Sequence, residues 1–346
     1  MAAQDQETQV ASRILHRLDE SVLPSVKRNA AIVKDFADLL QGTFSGHVLL
    51  RGATVMHGGS AYESLCVKKD TDFDITVVLG DPYVARNFEL TRDTSGFFAL
   101  KWRSSNPFLS DKAGFLDAKA LQQNLFDALG KCVGQVRVSG TSVSWRPQLA
   151  ALLVEITTQW GTISMDLVPV IAARSWGPCP DLVPLSSLPA TLREHVDTLV
   201  RNCSPVLSFS AAAPGNHSNG HRLCNIAFGM LEKNFLRANP EVRDMVRLLK
   251  FLSEYHGWKK LGLKSFHLKR MAVKYSAELK DKTLWQGSKI LLLRTATELQ
   301  SKSNIDGFFV RNQHTFAKRD SAAELSRALR SASAWDAAML ATAHPQ

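Results

Sequence analysis

The residues of this chain whose types and spacing could do chemistry are three aspartates and a glycine-serine turn. His57-Gly58-Gly59-Ser60 is followed, after a short polar connector, by Asp72-Phe73-Asp74-Ile75-Thr76-Val77-Val78-Leu79, an apolar run rich in β-branched residues. Asp72 and Asp74 stand two apart at its head, so a strand there projects both carboxylates from one face. Neighbouring carboxylates repel each other unless a cation lies between them, and hard oxygen ligands suit Mg2+ or Mn2+. A third acid, Asp166, stands alone in the apolar stretch Thr162–Ile171. If the two strands share a sheet, Asp166 joins the pair, and three acids can bridge two metal ions. Gly58 and Gly59 leave the backbone bare where a phosphate would approach, and Ser60 opens a short helix whose N-terminal amides attract anions. A metal clamp beside a phosphate-binding turn is the chemistry of a nucleoside triphosphate.

These residues resemble the nucleotidyltransferases that carry a Gly-Ser motif, an acid-x-acid pair and a distant Asp, and more narrowly the cyclic GMP–AMP synthase-like receptors. The narrower resemblance rests on ordered motifs. The acid-x-acid pair begins twelve residues after Ser60; Arg146-Pro147 and Leu152–Ile156 precede the Asp166 strand; Arg174-Ser175-Trp176-Gly177-Pro178 follows it; Leu207-Ser208-Phe209-Ser210 and Ser265-Phe266-His267-Leu268-Lys269 come later, in order. A lone Gly-Ser or Asp-x-Asp carries little weight, whereas the ordered set is hard to obtain by chance.

The resemblance implies an α+β, two-lobed fold: residues 1–188 as a spine helix and an α/β lobe with a mixed, mostly antiparallel sheet, and residues 189–346 as a helical lobe. It implies Asp72, Asp74 and Asp166 as catalytic ligands of two Mg2+ or Mn2+ ions, with Gly59 and Ser60 positioning the triphosphate. It places Lys250, Ser265 and Lys269 at substrate phosphates and Phe266 against a nucleobase, where the family usually has Tyr. Each has a plainer alternative. Lys250 shares a helix face with Arg243 and Arg247, which also reads as a solvated face, and Ser265 also reads as the cap of a helix beginning at Phe266. Glu63 fits a surface site or a helix first turn.

In the same way Arg13, Arg17, Lys27, Arg28 and Lys34 lie opposite the apolar stripe of the first helical segment. They read either as a solvated face or as a spine lying along a nucleic-acid backbone. Two departures from the vertebrate DNA sensor matter: Val206 stands where that sensor has a nucleotide-contacting Arg, and no His and Cys cluster between Gly215 and Val242 builds its zinc thumb. The resemblance therefore implies double-stranded RNA as activator, no structural zinc, a cyclic dinucleotide made from ATP, GTP or related triphosphates in innate immune signalling, and room for a ligand-dependent dimer. The rivals are a linear, oligoadenylate-type synthase and a catalytically inactive relative that binds nucleic acid or protein. Such inactive relatives tend to lose the Gly-Ser turn or one acid, and this chain keeps all of them.

Composition fits that frame. The chain has 346 residues, 45% of them hydrophobic, and a net charge of +10 that favours polyanionic partners. Its five cysteines, Cys66, Cys132, Cys179, Cys203 and Cys224, are scattered with no CxxC, which argues against a disulfide framework or a zinc site. No apolar run approaches a membrane span and residues 1–8 are unlike a signal peptide, so a cytoplasmic location is expected.

The elements that must position the site follow from periodicity. Val10–Leu40 predicts one helical segment that Pro24 would kink or break. Strands are predicted at Val48–Met56, Phe73–Leu79, Phe97–Trp102, Val136–Val138, Leu149–Ile156 and Ile163–Ile171, with a helix over Leu116–Val133. From Pro189 the β signals vanish: Ser210–Gly220 reads as a loop, and helices are predicted at Leu192–Val200, Arg222–Leu236, Val242–Tyr255, Phe266–Ala277, Lys289–Leu299 and Ala322–Ala341.

Overall fold

The computed structural model describes residues 2–92, 97–104, 109–173, 183–188, 190–201, 207–211, 220–305, 309 and 318–342. The apolar stripe Val10, Ile14, Leu18, Val22, Val26, Val33, Phe36 and Leu40 is buried throughout, on one helix, α1 (Ala2–Thr43). Of the expected kink or break at Pro24, the break does not occur, since α1 runs through it. Proline removes one amide donor, and because Pro24 is exposed, water can satisfy the carbonyl left without a partner.

After α1 the chain forms β1 (Thr54–Gly58), the one-turn helix α2 (Gly59–Tyr62), β2 (Phe73–Val78), β3 (Phe88–Arg92), β4 (Phe98–Trp102), α3 (Ala118–Val133), β5 (Ser142–Pro147), β6 (Leu152–Thr158) and β7 (Gly161–Ala173). Then come α4 (Ala190–Arg201), β8 (Leu207–Ala211), β9 (Leu223–Ala227), α5 (Gly229–Ala238), α6 (Pro240–Tyr255), α7 (Ser265–Lys274), α8 (Ser276–Leu279), α9 (Leu284–Lys302), α10 (Ala322–Ser333) and α11 (Ala337–Thr342). The fold class is as expected: a mixed sheet, a long N-terminal helix and a largely helical second half.

The described strands form one nine-stranded sheet in the order β1-β2-β7-β8-β9-β4-β3, with β6 also on β7 and β5 on β6. Every pair is antiparallel except β2 with β7. Along β2, Phe73, Ile75 and Val77 are at most 1% exposed while Asp74, Thr76 and Val78 are half-buried, the alternation of a strand with one face on the core.

Several elements differ from expectation. Residues 48–52 turn rather than extend, so β1 begins only at Thr54. Val136–Val138 is not a strand: the Val136 amide closes a turn onto the Val133 carbonyl at 3.1 Å, and the strand comes later, as β5. β3 went unanticipated. The β signal also persists beyond residue 189, since β8 joins β7 and β9 joins β4 and β8. Residues 222–236 are therefore strand then helix, and 322–341 divides into α10 and α11. Residues 212–219, within the expected Ser210–Gly220 loop, lie outside the described residues, as do Arg174–Pro178, Cys179, Cys203 and Val206.

Helix α1 braces both halves. It packs on β1, β2 and α3 on one side of the molecule and on α6, α9 and α11 on the other. Ion pairs add to the apolar seam: Glu7 with Lys289 at 3.0 Å and Asp19 with Arg247 at 2.5 Å. Burial of a side chain such as Phe36 or Leu40, both fully inaccessible, contributes about 1.5–3 kcal/mol each. Among the described residues no helix is long and apolar enough to cross a membrane.

Candidate active site

Asp74 and Asp166 stand side by side because β2 and β7 run parallel. Register pairs Asp74 directly with Asp166, and Asp72 lies two residues earlier on the same open face as Asp74. On the other side of β2, Gly58 of β1 pairs with Asp74. Asp74 thus stands between the glycine turn and Asp166.

Gly59 has φ +75°, and a Cβ built there would lie 1.7 Å from Asp74 Oδ2. Only glycine satisfies both conditions, a left-handed backbone and backbone-to-carboxylate contact. Gly58 is under no such constraint: its φ is −131°, and a Cβ would meet nothing nearer than the Asp74 carbonyl at 3.8 Å.

Among the described residues, Asp72, Asp74 and Asp166 have no ion-pair or hydrogen-bond partner. Burial, and then Asp166, pushes the Asp74 carboxyl up to about 6, against an opposing pull from Lys269. Burial and Asp72 likewise raise Asp166. Among the described residues no three His, Cys, Asp or Glu side chains converge tightly enough to enclose an ion. The donor chemistry, hard oxygens on one open face with no ion-pair partner among the described residues, suits Mg2+ or Mn2+. An open depression of about 490 Å³, lined by Gln148, Leu149, Ala150, Ala151 and Asp166, adjoins the third acid.

The glycine turn is held from the helical half. Lys250 Nζ donates to Ser60 Oγ at 2.8 Å, Lys233 Nζ to the His57 carbonyl at 2.8 Å, and Arg247 Nε to the Cys66 carbonyl at 3.0 Å. The solvated-face alternative for α6 therefore fails for two of its three cations. Arg247 is 5% exposed, and burial lowers the pKa of Lys250, whereas Arg243 lies half-buried against Asp244.

Ser265 is the first residue of α7, with Lys264 at the cap position, so the helix starts one residue earlier than expected and Ser265 does not cap it. Phe266 is half-buried with Arg270 over its ring at 5.0 Å and the His267 ring at 4.0 Å. Lys269 is buried between carboxylates, 3.0 Å from Glu63 and 3.1 Å from Glu232, with Arg270 completing the group at 3.4 Å from Glu232. Glu63 is the residue that sequence reasoning left aside. A signal existed: Glu232 falls within the apolar stripe Phe228, Leu231, Phe235, and Lys269 within the stripe Leu268, Ala272, Val273, and charges at such positions need buried partners.

On α1, Arg13, Arg17, Lys27, Arg28 and Lys34 are all exposed on one face, as expected. Glu20, Asp35 and Asp38 share that arc: Lys34 pairs with Asp38 at 2.5 Å, and His16 lies 3.3 Å from Glu20. Arg28 packs 4.9 Å over the ring of Trp160, which is itself exposed at the β6–β7 turn. Cys66, Cys132 and Cys224 are buried free thiols.

Residues 61–238, a little over half of the chain, match the Mab-21 protein nucleotidyltransferase domain. The matched region begins just after Ser60 and contains all three acids. No curated protein matches the chain.

Proposed function

The chain belongs to the Mab-21 protein nucleotidyltransferase domain family, which includes cyclic GMP–AMP synthase, and on that premise we propose that it joins nucleoside triphosphates into a cyclic dinucleotide when double-stranded RNA binds it. The observation that carries the transfer chemistry is the direct register of Asp74 with Asp166, with Asp72 two residues away on the same face. Asp72, Asp74 and Asp166 would hold two Mg2+ or Mn2+ ions. Those ions, when bound, lower the pKa of the attacking ribose hydroxyl and neutralise the departing pyrophosphate.

The rest is done by the chain's own groups. Gly59 brings bare backbone beside Asp74, and Ser60 Oγ together with the Lys250 ammonium offers donors to the triphosphate. Ser265 at the start of α7 would add a further donor, and Phe266 would stack on a base through its ring alone. The triphosphate would lie between the α/β half, residues 1–188 with β8 and β9 added to its sheet, and the helical remainder of residues 189–346. No side-chain nucleophile is required.

The activator reading is supported by the exposed cations Arg13, Arg17, Lys27, Arg28 and Lys34 on α1 and by the +10 net charge. Such a surface contacts phosphates without reading bases. The product would serve as a second messenger in innate immune signalling.

The test is product chromatography from labelled ATP and GTP with Mn2+, with and without double-stranded RNA, using linkage-specific nucleases. A cyclic product that requires RNA is the expected result. The double variant Asp72→Asn, Asp74→Asn should make none while melting as a folded protein. Full activity in that variant would remove the metal clamp, a linear product would remove cyclisation, and synthesis indifferent to RNA would remove the activator.

A further inference from the structure

The segment from His57 to Cys66 carries the glycine turn, and the helical half reaches it at four points. Lys233, Lys250 and Arg247 end on uncharged oxygens of His57, Ser60 and Cys66. The fourth contact, Lys269 with Glu63, is an ion pair between side chains only 11% and 2% exposed. We propose that Glu63, locked by Lys269 onto Glu232, is a positioning residue that fixes the Gly59-Ser60 turn against Asp74. This rests on the nucleotidyltransferase reading above for its catalytic consequence, but not for its geometry.

Glu63 directly follows α2, and its amide donates to the Gly59 carbonyl at 3.1 Å, while the Leu65 amide donates to the Ser60 carbonyl at 3.0 Å. Anchoring the Glu63 carboxylate therefore anchors the whole turn. That turn has no slack toward the acid, because a Cβ at Gly59 would overlap the Asp74 carboxylate. If the turn rotates, Asp74 must move.

Charge balance makes the anchor one-sided. Two cations, Lys269 and Arg270, face two anions, Glu63 and Glu232, in a buried group. Withdrawing Glu63 strands a buried ammonium with half its compensation, and an unpaired buried charge is far more unfavourable than a paired one. Both carboxylate partners of Lys269 are thus supplied by the chain.

The experiment uses the full chain with Glu63→Gln, with Glu63→Asp as a charge-preserving second variant and Lys269→Arg as the conservative partner. Hydrogen exchange is read at the Glu63 and Leu65 amides, and kcat and KM for ATP and GTP are measured with Mn2+. In Glu63→Gln, exchange at those two amides should rise by about tenfold or more while β2 and β7 keep their protection. Its kcat should fall by about tenfold or more, with KM within about threefold. Lys269→Arg should retain most of the kcat. If Glu63→Gln does not fold, Glu63→Asp must show the same two changes in smaller measure.

Unchanged exchange would overturn the clamp, as would faster exchange with unchanged kcat. A raised KM with kcat preserved would instead put Lys269 at the substrate phosphates. A wild-type protein that transfers no nucleotide would defeat the enzymatic reading, while the exchange data would still decide whether Glu63 holds the turn.

Discussion

Gly59→Ala separates a glycine needed for its backbone from one needed for its emptiness. The substitution meets two obstacles. An alanine at φ +75° is strained by about 1–2 kcal/mol. Its methyl would also lie 1.7 Å from Asp74 Oδ2, and since contacts under 3.0 Å force a shift, the carboxylate must retreat by more than about 1 Å. Misplacement of a reacting group on that scale lowers turnover by about a hundredfold, or about 2.7 kcal/mol of transition-state stabilisation. Stability should fall by only about 1–2 kcal/mol, because Asp74 faces the open side of the sheet and can swing away. The assay is steady-state transfer at saturating nucleotide and Mn2+, paired with thermal melting and with Gly58→Ala as control. Gly58 has an extended backbone and open space around it, so its alanine variant should stay within about threefold of wild type. If Gly59→Ala retains wild-type turnover, or if Gly58→Ala is equally damaged, the close packing of the turn on Asp74 is not what the site requires.

Asp74 gives a pH signature in metal-free protein. Its carboxyl is raised to about 6 from 3.8, so its contribution to stability is present below pH 4 and is lost as pH rises through about 6. Asp74→Asn should therefore raise metal-free stability at pH 7.5 by about 2–3 kcal/mol and change it little at pH 4; a variant that melts below wild type at pH 7.5 contradicts this. Lys250→Ala removes the ammonium beside Ser60 and should raise KM for nucleotide several-fold while RNA affinity holds; the reverse pattern would move Lys250 to the nucleic-acid surface. For the α1 face, four phosphate contacts at a slope of about −0.9 each predict roughly a hundredfold loss of duplex affinity between about 50 and 200 mM salt. Arg17→Glu with Arg28→Glu should flatten that slope and abolish RNA stimulation while Mn2+-driven basal synthesis survives; filter binding across salt with an unchanged slope would leave α1 a solvated face.

The acids were legible because strand alternation is local. Asp72 and Asp74 sit at the head of a β-branched run, and the apolar frame around Asp166 left one strand to receive it. Their meeting was not local: it depends on parallel register, which no spacing within either strand encodes. β9 was lost for a similar reason. Leu223–Ala227 is short and runs almost directly into α5, and it extends because β8 and β4 pair with it rather than from strong propensity of its own. At Pro24 local chemistry forecast a kink or break, and tertiary packing of α1 on both sides keeps the helix continuous. For Lys269 the sequence suggested a phosphate contact by resemblance but not its buried ion pairs with Glu63 and Glu232, because a sequence shows charges and not the carboxylates that face them.

The parallel joining of β2 to β7 also dictates when the site can exist. Asp74 and Asp166 are separated by four intervening strands and helix α3, and a parallel pair cannot close through a simple hairpin. On a ribosome, β1 and β2 can form their antiparallel ribbon early, but the neighbour that brings the third acid emerges only after β3 through β6 have been made. Until then the β2 edge is unpaired, and an open edge carrying alternating Ile and Val is prone to recruit other strands. The two carboxylates at its head offer charge that discourages such pairing during the wait. The acids can therefore be brought side by side only once β7, ending at Ala173, has been made, and the turn beside Asp74 is held only after Lys233, Lys250 and Lys269 follow.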